Sequence, residues 1–309
     1  MISVLKFDGE ATHRTNRIVR QSWVHAVSPT EPELSQLQEI GIPRELLGHV
    51  LDFNERSRVV RRGDIVFIVV HLPYDQTRGA GIPYVTAPTS IFLLPDLLVT
   101  IEPMPMGLQE ELSANPPSGL SSNDMTQFVL RLLLFAGSEY LASLKDINRG
   151  VDEAESRLQN SLRNREVLQL LNYQKSLIYF TTALNSIEML LEKLRKGDFL
   201  VWSSEDEGLA EDALIEIRQA IYQVDIAQNI LTQMMDAFAS IVSNNLNTVM
   251  KFLAAITIII SVPMLIASLY GMNVQLPGGS EPTTFAYLII VSVLLSVIVI
   301  ILFRRKDWL

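Results

Sequence analysis

The sequence predicts an α+β protein, with an N-terminal cytoplasmic α/β domain, a long helical stalk and two C-terminal transmembrane helices. Three observations support this fold class. Segments rich in β-branched residues alternate with short helix signals in the first third of the chain. Helical periodicity dominates after Ser122, and two long apolar runs without a charge lie near the C-terminus.

The composition excludes several classes of function. The 309 residues include 34 acidic and 25 basic side chains, whereas nucleic-acid binding needs a basic surface. No cysteine is present, which excludes disulfides, thiolate metal sites and cysteine nucleophiles. The 4 histidines are scattered without ligand spacing, and no phosphate-binding glycine loop occurs. We therefore expect no enzyme, no organic cofactor and no nucleic-acid partner.

The N-terminal α/β domain is expected to occupy residues 1–120. A capping box from Thr30 to Glu33 predicts a short helix extending to about Ile40, and Pro43 begins another. Five segments have the β-branched and apolar composition of strands: Ile2–Phe7, Ser22–Val27, Ile65–His71, Tyr84–Leu94 and Leu97–Ile101.

Residues 121–207 form the predicted cytoplasmic helical segment. Between Asn123 and Lys196 there is no proline and the glycines are isolated, so one helical run is expected there. Gly197 ends this run, and the acidic cluster 203–207 is expected to form a turn.

A stalk helix, 208–250, follows this turn. Because no glycine occurs between Leu209 and Leu269, the helix is expected to continue into the membrane, as a rod of about 90 Å.

The two apolar runs are long enough to cross a membrane. Phe252 to Tyr270 and Phe285 to Phe303 are each 19 residues without a charge, and a hydrocarbon core is about 30 Å thick. The predicted transmembrane helices accordingly occupy 251–270, which would line a pore, and 285–303.

Flanking charges predict the orientation of these spans. Three basic residues follow the second span in the tail 304–309, and Lys251 precedes the first, whereas the loop 271–284 has no basic residue. By the positive-inside rule, both termini are cytoplasmic and the loop is extracytoplasmic, in a multi-pass protein of the cell membrane.

Two rows of side chains follow the long helix at steps of three and four residues. The apolar row predicts packing against another helix; its members are Leu214, Ile217, Ile221, Val224, Leu231, Met235, Phe238, Val242 and Val249. A polar row begins with Asn229 and Gln233 on another face. This row continues along the stalk and into the first predicted span. We call the continuation the polar line; it comprises Asp236, Ser240, Ser243, Asn247, Met250, Leu253, Ala254, Thr257, Ser261, Met264 and Ser268.

The polar line indicates either helix–helix contacts or a pore lining. Its continuation outside the membrane, with Asp236, favours a water-filled path. One hairpin cannot enclose such a path, so a homo-oligomeric ring is required. In a ring, Asp236 supplies carboxylates that attract cations, whereas Met250, Leu253 and Met264 can form hydrophobic constrictions.

The segment after the first span resembles the signature of CorA-type magnesium transporters. It consists of Gly271, Met272 and Asn273, directly after the first of two C-terminal spans. The large α/β domain, the stalk helix and a basic C-terminus ending in Trp308 also fit that family. The resemblance covers residues 212–309 well and the first 200 residues in layout only.

This resemblance implies a homopentamer in the lipid membrane. It would carry Mg²⁺, with Co²⁺ and sometimes Ni²⁺, by passive influx, and it would close when cytoplasmic Mg²⁺ is high. Gly271, Met272 and Asn273 match the selectivity motif of the family, while Asn247 and Met250 match inner constrictions. The zinc-transporting branch usually has Ile in place of Met272, which favours magnesium here. Glu281 is a displaced candidate for an external acidic ring.

Regulation by Mg²⁺ is assigned to acidic residues at the start of the stalk. Asp212 is the first choice, because its distance from the triplet is typical of the family's sensing aspartate. Its partner is expected in the N-terminal domain, with Asp75 and Asp96 as candidates. The other candidates are Glu205, Asp206 and Glu211, and a solvated acidic turn without a metal is the alternative for this cluster.

Two other functions stay open at the level of sequence. Efflux of Mg²⁺ or Zn²⁺ would use the same fold in the opposite direction. A membrane-anchored coiled-coil scaffold would use the hairpin only as an anchor, but an anchor does not need hydroxyl groups along one face.

Overall fold

The computed structural model describes residues 1–8, 11–15, 17–53, 55–76, 81–108, 122–160, 164–272, 274 and 282–308. The chain forms two compact units, Met1–Thr232 and Gln233–Leu309. Each unit is described by itself.

A sheet of seven strands forms the centre of the first unit. Its spatial order is β2-β1-β3-β7-β6-β5-β4, and all neighbours are antiparallel except β3 and β7, which are parallel. The strands are β1 (Ile2–Asp8), β2 (Ala11–Thr15), β3 (Ser22–Val27), β4 (Arg58–Arg62), β5 (Ile65–Asp75), β6 (Tyr84–Leu94) and β7 (Leu97–Glu102). The five predicted strands are confirmed, and the two edge strands β2 and β4 are additional.

Six helices are described. The capping box at the first one is confirmed, since the Thr30 backbone N–H donates to Glu33 Oε2 at 2.8 Å. This hydrogen bond also lowers the pKa of Glu33. The helices are α1 (Glu31–Glu39), α2 (Arg44–Leu47), α3 (Ser122–Asn160), α4 (Asn164–Lys196), α5 (Ser204–Tyr270) and α6 (Pro282–Arg305).

Helices cover both faces of the sheet. Leu37 of α1 and Leu46 and Leu47 of α2 pack against Phe67 and Phe92 on one face. On the other face, Trp23 contacts Phe128 of α3, and Tyr84 contacts Phe180 of α4, in edge-to-face ring pairs. Successive residues of the central strands are therefore buried in one or the other of two hydrophobic cores, one on each face of the sheet. This explains why those strands are almost wholly apolar.

The helical character expected from Asn123 to Lys196 is confirmed, but the segment is not one continuous helix. The structure has two helices, α3 and α4, which run antiparallel. Arg157, near the end of α3, donates a hydrogen bond to Gln169, near the start of α4. Tyr140, earlier in α3, contacts Phe180, later in α4. No proline or glycine marks the change of direction between them.

The apolar row of α5 packs as expected along its first half. Leu214, Ile217, Val224 and Leu231 are buried. Hydrogen bonds from Arg218 to Glu188 and from Gln228 to Thr181 identify α4 as the neighbour, and α5 runs antiparallel to it. The C-terminal members Val242 and Val249 are exposed on the single chain.

Helix α5 begins at Ser204, so the expected turn at 203–207 and start at about Leu209 are wrong. The Asp206 carboxylate explains this early start, because its Oδ2 accepts hydrogen bonds from the Ser203 backbone N–H and hydroxyl, both at 2.7 Å. These bonds satisfy the backbone N–H of the residue before the helix, and the acidic first turn complements the positive helix end.

The second unit contains the C-terminal part of α5 and the helix α6. Each carries a segment long and apolar enough to cross a membrane. A cavity of about 700 Å³ lies between them, lined by apolar side chains such as Ile266 and Leu288, and by Pro263 of α5.

Candidate functional site: a polar line along the first membrane span

Every residue of the polar line is exposed on the single chain, from Asp236 through Asn247 to Ser268. This holds for its bulky members as well: Met250 and Met264 are 58% and 64% exposed. Nothing in the described part of the chain therefore covers the line. A path for ions needs such a face.

The second membrane span uses a different side of α5. The cavity between the spans is lined on the α5 side by Pro263, Ile266, Ala267, Tyr270 and Gly271, none of which belongs to the polar line. At 3.6 residues per turn, the two sides are separated by roughly 120° around the helix. The hydroxyl groups of the line are thus not used to hold the hairpin together.

The hydroxyl groups of the line donate back to their own helix. Thr257 Oγ1 donates to the Leu253 carbonyl at 2.8 Å, and Ser261 Oγ donates to the Thr257 carbonyl at 2.7 Å. The hydroxyl hydrogens of Thr257 and Ser261 are therefore satisfied, while their oxygens keep lone pairs that can accept hydrogen bonds. The waters bound to a cation are hydrogen-bond donors, so this face is suited to a hydrated cation.

Further along the line, away from the apolar span, the surface is concave and more polar. Ser240, Ser243 and Asn247 contribute to this open concavity, together with Met250. Asp236 is the only acid of α5 between Gln233 and Tyr270. It would supply one carboxylate per subunit at this end.

The triplet after the first span is described only in part. Gly271 continues the helical hydrogen-bond pattern, because its N–H donates to the Ala267 carbonyl at 2.9 Å. It is not among the described glycines with positive φ, so the backbone at Gly271 does not adopt the left-handed conformation. Met272 is 54% exposed. Asn273 and Glu281 lie outside the described residues.

The acidic residues at the start of α5 have different surroundings. Asp206 is buried and caps the helix. Glu211 lies 3.5 Å from Arg195, which also contacts Glu207 at 3.1 Å. Glu205 and Asp212 are exposed.

No cluster of three or more histidine or acidic side chains with metal-binding geometry occurs in the described part of the chain. Of the candidate partners for Asp212, Asp96 lies 3.7 Å from Arg20. The contacts of Arg195 have no signal in the sequence, because no local pattern connects a residue of α4 with acids of α5.

The fold and this face define a class: a membrane protein with a sheet-containing domain, one helix continuous with a membrane span, and a polar face on that span. The sequence model of the CorA-like Mg²⁺ transporter protein family matches residues 20–305. The chain therefore belongs to the CorA-like Mg²⁺ transporter family, whose members are divalent-cation transporters of membranes and not enzymes.

Individual relatives agree with this assignment. The cobalt/magnesium transport protein CorA of Methanocaldococcus jannaschii is 27% identical over 297 residues, 94% of this chain and 92% of that protein. The protein of the same name from Thermotoga maritima is 21% identical, over 87% of this chain and 77% of the relative. The complete structure of the Methanocaldococcus jannaschii CorA magnesium transporter has the same fold, with a TM-score of 0.86, 24% identity and coverage of 100% and 99%.

Proposed function

We propose that this protein is a homopentameric channel for passive Mg²⁺ influx, which also carries Co²⁺ and in some conditions Ni²⁺. The observation that carries the proposal is the exposure of the whole polar line on the single chain. Five copies with this face turned inward would enclose a path lined by hydroxyl, amide and carboxylate oxygens. The two CorA relatives are both named cobalt/magnesium transport proteins, which supports the choice of ions.

The oxygen chemistry of the line suits magnesium. Mg²⁺ loses its water shell reluctantly and usually keeps several waters in proteins. Outward-facing hydroxyl oxygens, such as that of Ser261, accept hydrogen bonds from those waters without replacing them. An amide ring of Asn273 would act in the same way at the outer end. Neutral oxygens hold the ion less firmly than carboxylates, and conduction requires release.

The membrane potential supplies the driving force. Moving a divalent ion inward across 100 mV releases roughly 4.6 kcal/mol, at about 2.3 kcal/mol per charge. With both termini in the cytoplasm, as the flanking charges predict, Asp236 would lie at the inner mouth. There, five carboxylates would concentrate cations leaving the path.

A second exposed row on α5, made of apolar side chains, suggests how the subunits contact each other. Helix α5 carries exposed apolar side chains on its first half: Ile215, Tyr222, Ile226 and Ile230. Large exposed apolar residues in a row are typical of an interface. A neighbouring subunit would cover this row outside the membrane while the polar line faces the axis within it.

Cysteine substitution tests the water-filled path directly, because the natural chain contains no cysteine. Ser268→Cys and Leu269→Cys lie at the same depth on different sides of α5, as do Thr257→Cys and Ile258→Cys. In vesicles, a water-soluble thiol reagent is expected to label Ser268→Cys and Thr257→Cys much faster than their neighbours. Equal labelling within both pairs would contradict the pore, since Leu269 and Ile258 are also exposed on the single chain, at 51% and 42%.

Ion and direction are tested in the same vesicles. Uptake of Mg²⁺, measured with Co²⁺ and Zn²⁺ as competitors, is expected to depend on an inside-negative potential. A preference for Zn²⁺, or transport only outward, would favour the efflux alternative. Absence of any metal flux with intact assembly would favour a membrane-anchored scaffold.

A further inference from the structure

The C-terminus of α6 folds back on the end of the second membrane span. The backbone N–H groups of Lys306 and Trp308 both donate to the Phe303 carbonyl, at 3.1 and 3.0 Å. Asp307 between them adopts a left-handed conformation with φ of 54°. As a result, the Trp308 indole stacks on the Phe303 ring, with centroids 5.3 Å apart and an interplanar angle of 4°. A tryptophan is thus held beside the last apolar residue of the span.

Four basic side chains belong to the same end of the two spans. Lys251 directly precedes the first span, and Arg304, Arg305 and Lys306 directly follow the second. We call these four residues the interfacial basic cluster. The three C-terminal members are exposed, and Lys251 is half-buried.

The interfacial basic cluster lacks acidic partners. Within the described part of the chain, none of its four members takes part in an ion pair. Several basic residues of the first unit do pair with acids, among them Arg149, Arg157, Arg195 and Arg218. The only acid in the last five residues is Asp307, whose backbone forms the turn. The positive charge of this cluster is therefore left for a partner outside the subunit.

The depth at which the interfacial basic cluster lies in the membrane indicates what kind of partner it binds. A residue directly adjoining an apolar span lies at the level of the lipid headgroups, and tryptophan is enriched at that level because its ring is amphipathic. Trp308 therefore fixes the helix end at the interface, while the adjacent arginines extend into the headgroup layer. Arginine is the side chain best suited to phosphate, which it binds through two parallel hydrogen bonds.

We propose that the interfacial basic cluster binds anionic phospholipid headgroups, with Trp308 as the aromatic anchor of the site. The proposal rests on the proposed function only in that the two spans cross a membrane. It does not depend on which ion is carried or on the direction of transport. In a ring of subunits, the cluster would be repeated around the molecule and would surround it with anionic lipid.

The tryptophan itself provides the measurement. The full-length protein is placed in vesicles of phosphatidylcholine with a minor share of brominated phosphatidylglycerol, or with brominated phosphatidylcholine at the same share. Bromine quenches nearby indole fluorescence, and subtracting the Trp308→Phe variant isolates the signal of Trp308. We expect several-fold stronger quenching by the anionic lipid, declining as salt is added.

Charge removal tests the residues. The double variant Arg304→Gln/Arg305→Gln is expected to remove most of the several-fold preference for the anionic lipid, because each positive charge beside the membrane surface adds to the attraction. The matched control is Arg149→Gln/Arg157→Gln, which removes the same charge from α3 and is expected to keep the preference. An ion-flux measurement on the same vesicles separates this proposal from the proposed function, since a protein that conducts without lipid preference would refute only the lipid site.

Two outcomes would overturn the proposal. One is equal quenching of Trp308 by the two brominated lipids. The other is loss of the preference on adding inorganic phosphate, but not on adding chloride at equal ionic strength, which would assign the cluster to a free phosphate anion.

Discussion

At the scale of single residues, the triplet that follows the first span gives the sharpest prediction for transport. Asn273→Ala is expected to abolish most Mg²⁺ uptake, because it removes the amide oxygens proposed to accept hydrogen bonds from the hydrated ion. Uptake into vesicles, combined with sizing of the oligomer, measures both effects. The control is Val274→Ala, an adjacent exposed position without a polar group. Normal uptake by Asn273→Ala would remove this residue from the selectivity motif.

His71 predicts a pH dependence of stability. It is buried in β5, and desolvation lowers its pKa from 6.5 to about 4. Between these values the unfolded chain binds a proton that the folded chain does not, so stability is complete above pH 6.5 and declines as the pH falls towards 4. The loss at the acid end is about 3 kcal/mol for this group. His25 has a pKa lowered to about 4 for the same reason.

The measurement is the melting temperature of the full chain in detergent between pH 7 and pH 5. The variant His71→Gln is expected to melt with a weaker dependence on pH than the unmodified protein. His49→Gln is the matched control, because the His49 side chain is 49% exposed and keeps its contact with water. An unchanged slope in His71→Gln would show that another group causes the acid sensitivity.

At the scale of secondary structure, Gly137 allows α3 and α5 to approach each other. A Cβ at this position would lie 2.9 Å from Glu216 Cγ and 3.3 Å from the Glu216 backbone carbon. Gly137→Ala must therefore displace the helix backbone, at a cost of about 1–3 kcal/mol. We expect a lower melting temperature, by roughly 2–4 °C for each kcal/mol.

Gly208 is the matched control for this substitution. It also lies in a helix, but a Cβ there would meet nothing within 4 Å. Gly208→Ala is expected to raise the stability by about 0.5–1 kcal/mol, because alanine has the higher helix propensity. A stabilising Gly137→Ala would contradict the close approach of the two helices.

The elements differ in how well the sequence predicted them. The central strands β3, β5, β6 and β7 were predictable, because strands covered on both faces are continuously apolar. The edge strands β2 and β4 were missed: the sequences ATHRT and RVVRR are short and polar or basic, as edge strands usually are. Their strand conformation depends on partners that no local pattern identifies.

The helix boundaries show the same limit. The change of direction after Asn160 has no proline or glycine signal, so it arises from the packing of α3 and α4 on the sheet. The start of α5 did have a signal, since Ser203 and Asp206 form a side-chain cap. The acidic charge of this segment had favoured a turn instead. The polar line, by contrast, follows from helical periodicity alone, which is why every member lies on an exposed face.

At the scale of the whole molecule, regulation by Mg²⁺ is expected to require more than one subunit. No metal-binding cluster of three acidic or histidine side chains occurs among the described residues, and Asp212 is exposed. We propose that Asp212 binds the regulatory ion together with acids of a neighbouring copy. Glu205 is the next candidate because it is also exposed, whereas Asp206 and Glu211 already contact groups of their own subunit.

Asp212→Ala is accordingly expected to weaken the closure of the channel by millimolar Mg²⁺ while leaving the flux at low Mg²⁺ unchanged. The measurement is Mg²⁺ flux as a function of the Mg²⁺ concentration on the cytoplasmic side. Asp225→Ala is a control, since this residue is also an exposed acid of α5. Identical inhibition curves for Asp212→Ala and the unmodified protein would rule out this assignment.

Pro263 has a mechanical consequence for the first span. It is the only proline in the 67 residues of α5, and its ring nitrogen has no hydrogen to donate to the Ile259 carbonyl. One backbone hydrogen bond of the helix is therefore missing, about two turns before Gly271. Bending of the helix is expected to concentrate at Pro263, so the segment between Pro263 and the triplet can move while the part of the span before it keeps its form.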